Sequence, residues 1–185
     1  GWIDSFQIGS TSRWLYYLDH TQRELVQIDS ERLQRVRTWK LPANVESFVL
    51  TPNGRSIWLA GQASEKPALW ELDAEELKVV RRCDLEVMPY DLAATDDGIL
   101  FLSGREPGWS QLTVFDAKQS KVLGRWSGVW SRSWLRLRPD GRRLYVGSQG
   151  VLPARIDGFP LPIDWTTKPV PSTTPGDDRL APQGF

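Results

Sequence analysis

"SWLRLRPDGRRLYVGS", residues 133–148, and "SFVLTPNGRSIWLAG", residues 47–61, are written to one plan: an apolar run, a turn ending in Gly, and a second apolar run. In such a turn Asn-Gly or Asp-Gly supplies the positive φ that joins two antiparallel strands, and alternating Val, Ile, Leu, Trp and Tyr fit a pleated sheet. The turn "TDDG" at 95–98 is a third copy, so Gly54, Gly98 and Gly141 stand 44 and 43 residues apart. A second mark keeps the same step. "LVQIDSERL", "LWELDAEEL" and "LTVFDAKQS" each close an apolar run on an acid, at Asp29, Asp73 and Asp116. After each comes a polar stretch and one more strand-like run: "LQRVRTWKL", "LKVVRRCDL" and "KVLGRWSGV". No window has a helical period, so the sequence predicts repeated units of four antiparallel strands.

A four-stranded unit of this size cannot bury both faces by itself, and radial stacking on like units matches the period. The fold expected from the residues is therefore an all-β propeller with about four blades, at 2–41, 46–85, 89–127 and 133–165. The last copy degrades after "PARIDG". This gives a blade domain over 1–158 and a tail or linker over 159–185, where Pro, Thr, Gly and Asp dominate.

The segment "RPDGRRLYVGS" resembles the Pro-Asp-Gly-Arg-x-Leu-Tyr-Val core of YVTN or cytochrome-cd1-like propeller repeats, more broadly a WD40-like architecture. "FDAKQSKVLGRW" resembles the Asp-Ala-x-x-Gly-Lys-Val-x-Trp portion of quinoprotein-like repeats, with Ser120 where that pattern has Gly. The resemblance extends over about 160 residues in imperfect copies, and it implies a fold that serves enzymes, electron-transfer partners and scaffolds alike. It carries no haem ligand onto this chain, and no cofactor is expected. Closed single-chain propellers most often resemble rings of about six to eight blades, while this chain holds about four units. Three closures follow: a compact four-bladed ring, a half-propeller completed by further sequence or another chain, or an open arc whose bare ends invite association.

The fourth copy departs from its sisters. Aligned on the turns, Val49 and Ala93 correspond to Arg136, and Thr51 and Thr95 to Arg138. A buried unpaired charge costs several kcal/mol, so this face is expected to be wet or to meet carboxylates. Arg136 and Arg138 thereby become a candidate interface at which the stack ends; lining a hydrated channel is the other reading.

Composition excludes several classes. Lys plus Arg and Asp plus Glu number 23 each, so no net field calls for nucleic acid or an anionic membrane. The single cysteine, Cys83, rules out an internal disulfide and leaves the compartment open. No apolar run reaches the length of a membrane helix, so no direct membrane insertion is expected. Strand-like sequence from the second residue leads to the expectation of a leader or further domain upstream. His20, in a turn, has no second His or nearby Cys with metal spacing, and no nucleophile elbow is present. The carboxylate pairs in "DAEEL", "TDDG" and "GDDR" sit in turns, where Asp and Glu serve local hydrogen bonding. No catalytic or metal residue is nominated.

Ten tryptophans are the unusual feature. Trp2, Trp14, Trp39, Trp58, Trp70 and Trp126 fall in strand-like runs and read as packing. Trp130, Arg132 and Trp134 cluster in "RWSGVWSRSW", in or beside the connection between two repeats. Trp109 and Arg105 lie on the connection between the second and third strands of the third repeat, expected on the same rim. Equivalent positions elsewhere are Asn44 and Glu46, then Met88, Tyr90 and Asp91. Aromatic faces among mixed charges suit a protein or peptide partner; plugging of a channel mouth is the alternative account. The sequence thus points to a non-enzymatic binding or scaffold module, part of a larger protein or assembly, acting through a protein partner or self-association. The alternative is a ligand-binding or catalytic propeller of lyase, glycosidase or quinoprotein type whose active groups lie outside this segment. Neither a small-molecule ligand nor a compartment can be named from these residues.

Overall fold

A computed structural model describes residues 3–9, 13–42, 44–63, 66–104, 109–130, 133–148 and 155–161. They form strands and turns in four separate antiparallel sheets, each a meander of consecutive strands. The first sheet holds β1 (Ile3–Ile8), β2 (Trp14–Asp19), β3 (Glu24–Asp29) and β4 (Gln34–Lys40). The second holds β5 (Asn44–Leu50), β6 (Ser56–Ala63), β7 (Lys66–Asp73) and β8 (Val79–Asp84). The third holds β9 (Pro89–Ala94), β10 (Ile99–Gly104), β11 (Trp109–Asp116) and β12 (Lys121–Trp130). The fourth has three strands among the described residues: β13 (Trp134–Leu137), β14 (Arg143–Ser148) and β15 (Arg155–Pro160). The chain divides into two compact units, residues 1–88 and 89–185.

The inner turns are built as the glycines predicted. Gly54, Gly98 and Gly141 have φ of 70°, 91° and 69°, the left-handed region that costs glycine least. In the first of these turns Ser56 N–H donates to Thr51 Oγ1 at 3.1 Å, and the Thr51 hydroxyl donates to Asn53 Oδ1 at 2.9 Å. Thr95 bonds Asp97 in the same way. In the third copy Arg138 replaces the threonine, and its Nε donates to Asp140 Oδ2 at 2.8 Å. A different side chain thus holds the same third residue of the turn.

The outer turns use a second device. Asp29 Oδ1 accepts from Glu31 N and Arg32 N at 3.0 and 2.9 Å. Asp73 Oδ1 accepts from Glu75 N and Glu76 N at 2.9 and 2.7 Å, and Asp116 Oδ1 from Lys118 N and Gln119 N at 2.8 and 3.0 Å. Four residues beyond each Asp the backbone turns left-handed, at Leu33, Leu77 and Ser120. Such a conformation costs a non-glycine residue roughly 1–2 kcal/mol, offset here by the donors that the Asp satisfies. Asp19 repeats the device between β2 and β3, accepting from Gln22 N at 2.9 Å before left-handed Arg23. In the fourth sheet the cross-strand position of these acids belongs to Pro160, which pairs with Arg143 as Asp116 pairs with Ile99. Proline has neither the carboxylate nor the N–H.

In the first unit two sheets pack face to face. Tyr16, Leu18 and Leu25 of the first sheet share a core with Phe48, Leu50, Ile57, Leu59, Trp70 and Leu72 of the second. The burial of such side chains is worth about 1.5–3 kcal/mol each. A polar clamp crosses this core. The Tyr16 hydroxyl donates to Ala74 O at 2.9 Å, fully buried Gln27 Nε2 donates to the same oxygen at 3.1 Å, and Arg37 Nη1 donates to Gln27 Oε1 at 3.2 Å. Burial raises the Tyr16 hydroxyl's pKa above its ordinary value. In the second unit Ala93, Phe101, Leu112 and Val114 of the third sheet pack on Leu135, Leu144 and Val146 of the fourth.

The propeller expected from the repeat is corrected here. The four sheets are separate, and none is closed into a circular arrangement; the WD40-like description falls with it. The physical reason lies in what a period encodes. Positive-φ turns and alternating apolar residues dictate pairing inside each meander, but they do not dictate how meanders stand around an axis.

Candidate functional site

The candidate residues divide between the two units. Asn44 and Glu46 open β5 in the first unit and are exposed, while Met88 is half-buried. Gly61 opposes Val45 across the strand pair, and a methyl on it would stand 2.7 Å from Asn44 O and 3.0 Å from Val45 Cα. The backbone of β5 can therefore lie this close only to a glycine. Arg105 and Arg132 lie outside the described residues.

The second unit brings the rest to one end of its sheets. Pro89 pairs with Gly104, and Trp109 with Trp130, so the starts of β9 and β11 and the ends of β10 and β12 coincide. Trp109 opens β11 and Trp130 closes β12; both belong to strands rather than to loops. Trp134 opens β13, opposite Gly147. A Cβ on Gly147 would lie 3.8 Å from Trp134 Cε3, so the indole leans over the glycine and remains 46% exposed. Tyr90 is half-buried.

Asp91, only 7% exposed, holds this end together. Its Oδ2 accepts from Leu135 N and from Arg136 Nη1, both at 2.9 Å, and its Oδ1 accepts from Leu92 N at 2.9 Å. Its own N–H donates to Ser103 Oγ at 3.1 Å. The carboxylate spans the third and fourth sheets and fixes β13 one residue from Trp134. With both oxygens directed to these donors, Asp91 positions β13 against the third sheet. Arg136 reaches it from the surface, with 62% of its side chain exposed. Arg138 is exposed and bonded to Asp140, whose carboxyl that guanidinium holds below the usual range.

The sequence puts Asp91 on the rim and Arg136 at a stack end, and the structure joins them. Both sit on first strands of successive sheets, a shared position that could have paired them.

A shallow cleft in the first unit, about 900 Å³, is lined by Arg13, Trp14, Asp29, Ser30, Glu31, Arg32 and Glu75. The Arg13 guanidinium lies 4.4 Å from the Trp14 ring centre and covers one face of it. Asp29 is committed to its turn, and the donated backbone N–H groups, Arg32 first, hold its carboxyl below the ordinary value. Among the described residues no group of three or more His, Cys, Asp or Glu is placed to hold a metal ion. Cys83 is buried in β8. No helix among them is long and apolar enough to cross a membrane.

No family model matches the chain, and no curated protein matches it. The resemblance to YVTN, cytochrome-cd1-like and quinoprotein-like repeats is corrected accordingly. Short motifs such as "RPDGRRLYVGS" reflect the chemistry of a strand, turn and strand, which unrelated β-proteins share. Among solved structures the chain is similar to Kuenenia stuttgartiensis hydrazine synthase, with a TM-score of 0.65 and 12% identity. The alignment covers 84% of this chain and 45% of that one, so the chain spans less than half the length of the protein it matches. At this identity the likeness is one of fold alone: an all-β fold similar to part of that structure. In all, 815 solved chains match, and an arrangement shared so widely assigns no activity.

Proposed function

We propose that the chain is a binding module that engages a protein partner through the strand ends of its second unit, around Tyr90, Trp109, Trp130 and Trp134. The observation that carries this reading is Trp134: a large aromatic, 46% exposed, on a strand that a buried carboxylate pins in place. Fixed, partly exposed tryptophans make effective contact points because little side-chain entropy is lost on binding. Trp109 and Trp130 start and finish paired strands at the same end, so aromatic positions converge there by backbone register.

The test places a photo-crosslinking amino acid at Tyr90 or at Trp134 in the full chain, with Arg81 on β8 as control, in an extract of the source cells. The reading expects one protein joined from both rim positions, absent from the control, and recovered at least ten-fold less when Trp134→Ala is combined with the Tyr90 probe. Crosslinks of equal pattern from all three positions, or none from the rim, would overturn it.

A further inference from the structure

The fourth sheet packs one face on the third, through Leu135, Leu144 and Val146. Alternation along the strands assigns its other face. There Trp134 pairs with Gly147 and Arg136 with Tyr145, and the next rung sets Arg138 beside Arg143, where Arg138 N–H donates to Arg143 O at 2.8 Å. Tyr145 pairs onward with Gly158. Trp134, Arg136 and Arg138 are exposed, while Arg143 and Tyr145 are half-buried.

The sister sheets have no arginine at these positions. The rungs equivalent to the last two are Val49 with Trp58 and Thr51 with Ser56 in the second sheet, and Ala93 with Phe101 and Thr95 with Ile99 in the third. Ala93 and Phe101 are fully buried in the core that the third sheet shares with the fourth. Arg136 thus stands exposed where the preceding sheet buries an alanine.

The chain supplies too few acids for this face. Arg136 Nη1 serves Asp91 and Leu135 O, which leaves Nε and Nη2 of an exposed guanidinium for another partner. Asp140 is bonded to Arg138, and among the described residues no acid is bonded to Arg143. Arg138 and Arg143 moreover oppose one another across the strand pair, and like charges so placed repel. We infer that this face receives a short acidic segment of the protein partner, with Asp or Glu carboxylates on Arg136, Arg138 and Arg143 and apolar atoms against Trp134 and Tyr145. The inference rests on the binding-module reading above, with which it shares Trp134, and names the chemistry of the partner.

Charge and shape select that occupant. A carboxylate matches the planar fork of a guanidinium. Gly147 and Gly158 put no side chain on the face, so an extended segment can lie close to the sheet beside the two rings. The rungs from Trp134 to Arg138 span roughly 13 Å, room for about four extended residues. Asp91 and Asp140 bound the patch, whereas a nucleic acid calls for a longer basic stripe.

The experiment is fluorescence anisotropy of a fluorescein-labelled octaglutamate peptide titrated with the full 185-residue chain at low salt, with octathymidylate carrying the same label as the second probe. The expected result is saturable octaglutamate binding that weakens as salt rises, and octathymidylate binding at least ten-fold weaker. Arg138→Thr with Arg143→Ser, the residues that Thr51 and Ser56 supply in the second sheet, should weaken octaglutamate binding at least ten-fold with the circular dichroism spectrum unchanged. Arg143→Glu alone, which leaves the turn as it is, should do the same. Arg32→Thr with Arg55→Thr, on exposed arginines of the other unit and with the same change in net charge as the first pair, should leave binding unaltered. No octaglutamate binding, equal weakening by the two pairs, or tighter binding of octathymidylate would overturn the inference, the last assigning the face to nucleic acid. Each of these outcomes leaves the crosslinks from Tyr90 and Trp134 standing. Loss of those crosslinks beside intact octaglutamate binding would overturn the binding-module reading instead.

Discussion

Replacing Asp91 by alanine tests whether the second unit is held by a buried acceptor or by an ion pair. The carboxylate accepts from Leu135 N and Leu92 N, both on residues with no exposed surface, and from the guanidinium of Arg136. A buried donor deprived of its acceptor costs about 1–3 kcal/mol, and two of them together about 2–6. The Arg136 guanidinium, by contrast, stays in water when its partner is removed, and an exposed bridge of this kind is worth about 0–1 kcal/mol. Asp91→Ala is therefore expected to destabilise by about 2–6 kcal/mol, Arg136→Ala by under about 1, and Arg136→Ala added to Asp91→Ala by almost nothing. With a urea slope of about 2 kcal/mol/M, the Asp91→Ala midpoint should fall by about 1–3 M, followed by circular dichroism and tryptophan fluorescence in the same samples. If Arg136→Ala costs as much as Asp91→Ala, the electrostatic pair dominates and the reasoning is wrong. If both are silent, the carboxylate does not join the sheets.

Gly61→Ala should destabilise by about 1–3 kcal/mol through forced displacement of β5, whereas Gly124→Ala, with nothing within 4 Å of the added carbon, should leave the urea midpoint nearly unchanged. Asp29 provides a prediction in pH. Its folded pKa lies below the ordinary value because Arg32 N–H and Glu31 N–H donate to it, so its stabilisation is complete above about pH 4 and is lost as pH falls through the folded pKa. Asp29→Asn keeps an acceptor for the turn but cannot titrate. Its melting temperature relative to wild type should therefore rise steadily below about pH 4, and parallel melting curves for the two proteins down to pH 2 would count against the turn's dependence on charge.

What could be read without coordinates was local. Gly54, Gly98 and Gly141 announced their turns because positive φ leaves a mark at one position, and Asp29, Asp73 and Asp116 kept step with them. Local hydrogen bonding by a turn acid such as Asp73 is legible from residue type, but it is only half of the device. Its second half is a left-handed Leu33, Leu77 or Ser120, and such residues have no sequence signature of their own. Asp19, which uses the device outside the repeat spacing, is unmarked for the same reason.

The arrangement of the sheets was not legible, since a period of 43 or 44 residues is satisfied by any packing that covers apolar faces. Of the candidate site, the aromatics stood out by type, but the link from Asp91 to Leu135 N–H did not. It joins a side chain to a backbone donor 44 residues away, and no residue type marks a backbone N–H. Pro160 is visible in the sequence, yet its meaning comes only from register, which places it where three sister sheets have an acid.

Each sheet is also stitched at its turn end from inner turn to outer turn. Ser30 N–H donates to Arg13 O, Ala74 to Arg55, Ala117 to Gly98 and, even beside Pro160, Leu161 to Arg142. The connections at the opposite end of the second, third and fourth sheets, 64–65, 105–108 and 149–154, differ in length. Engineering should respect this polarity. Insertions, grafted peptides and altered specificities belong in those connections, where length already varies, while a single residue added at a stitched end would uncouple two turns at once and unravel the hem of the sheet.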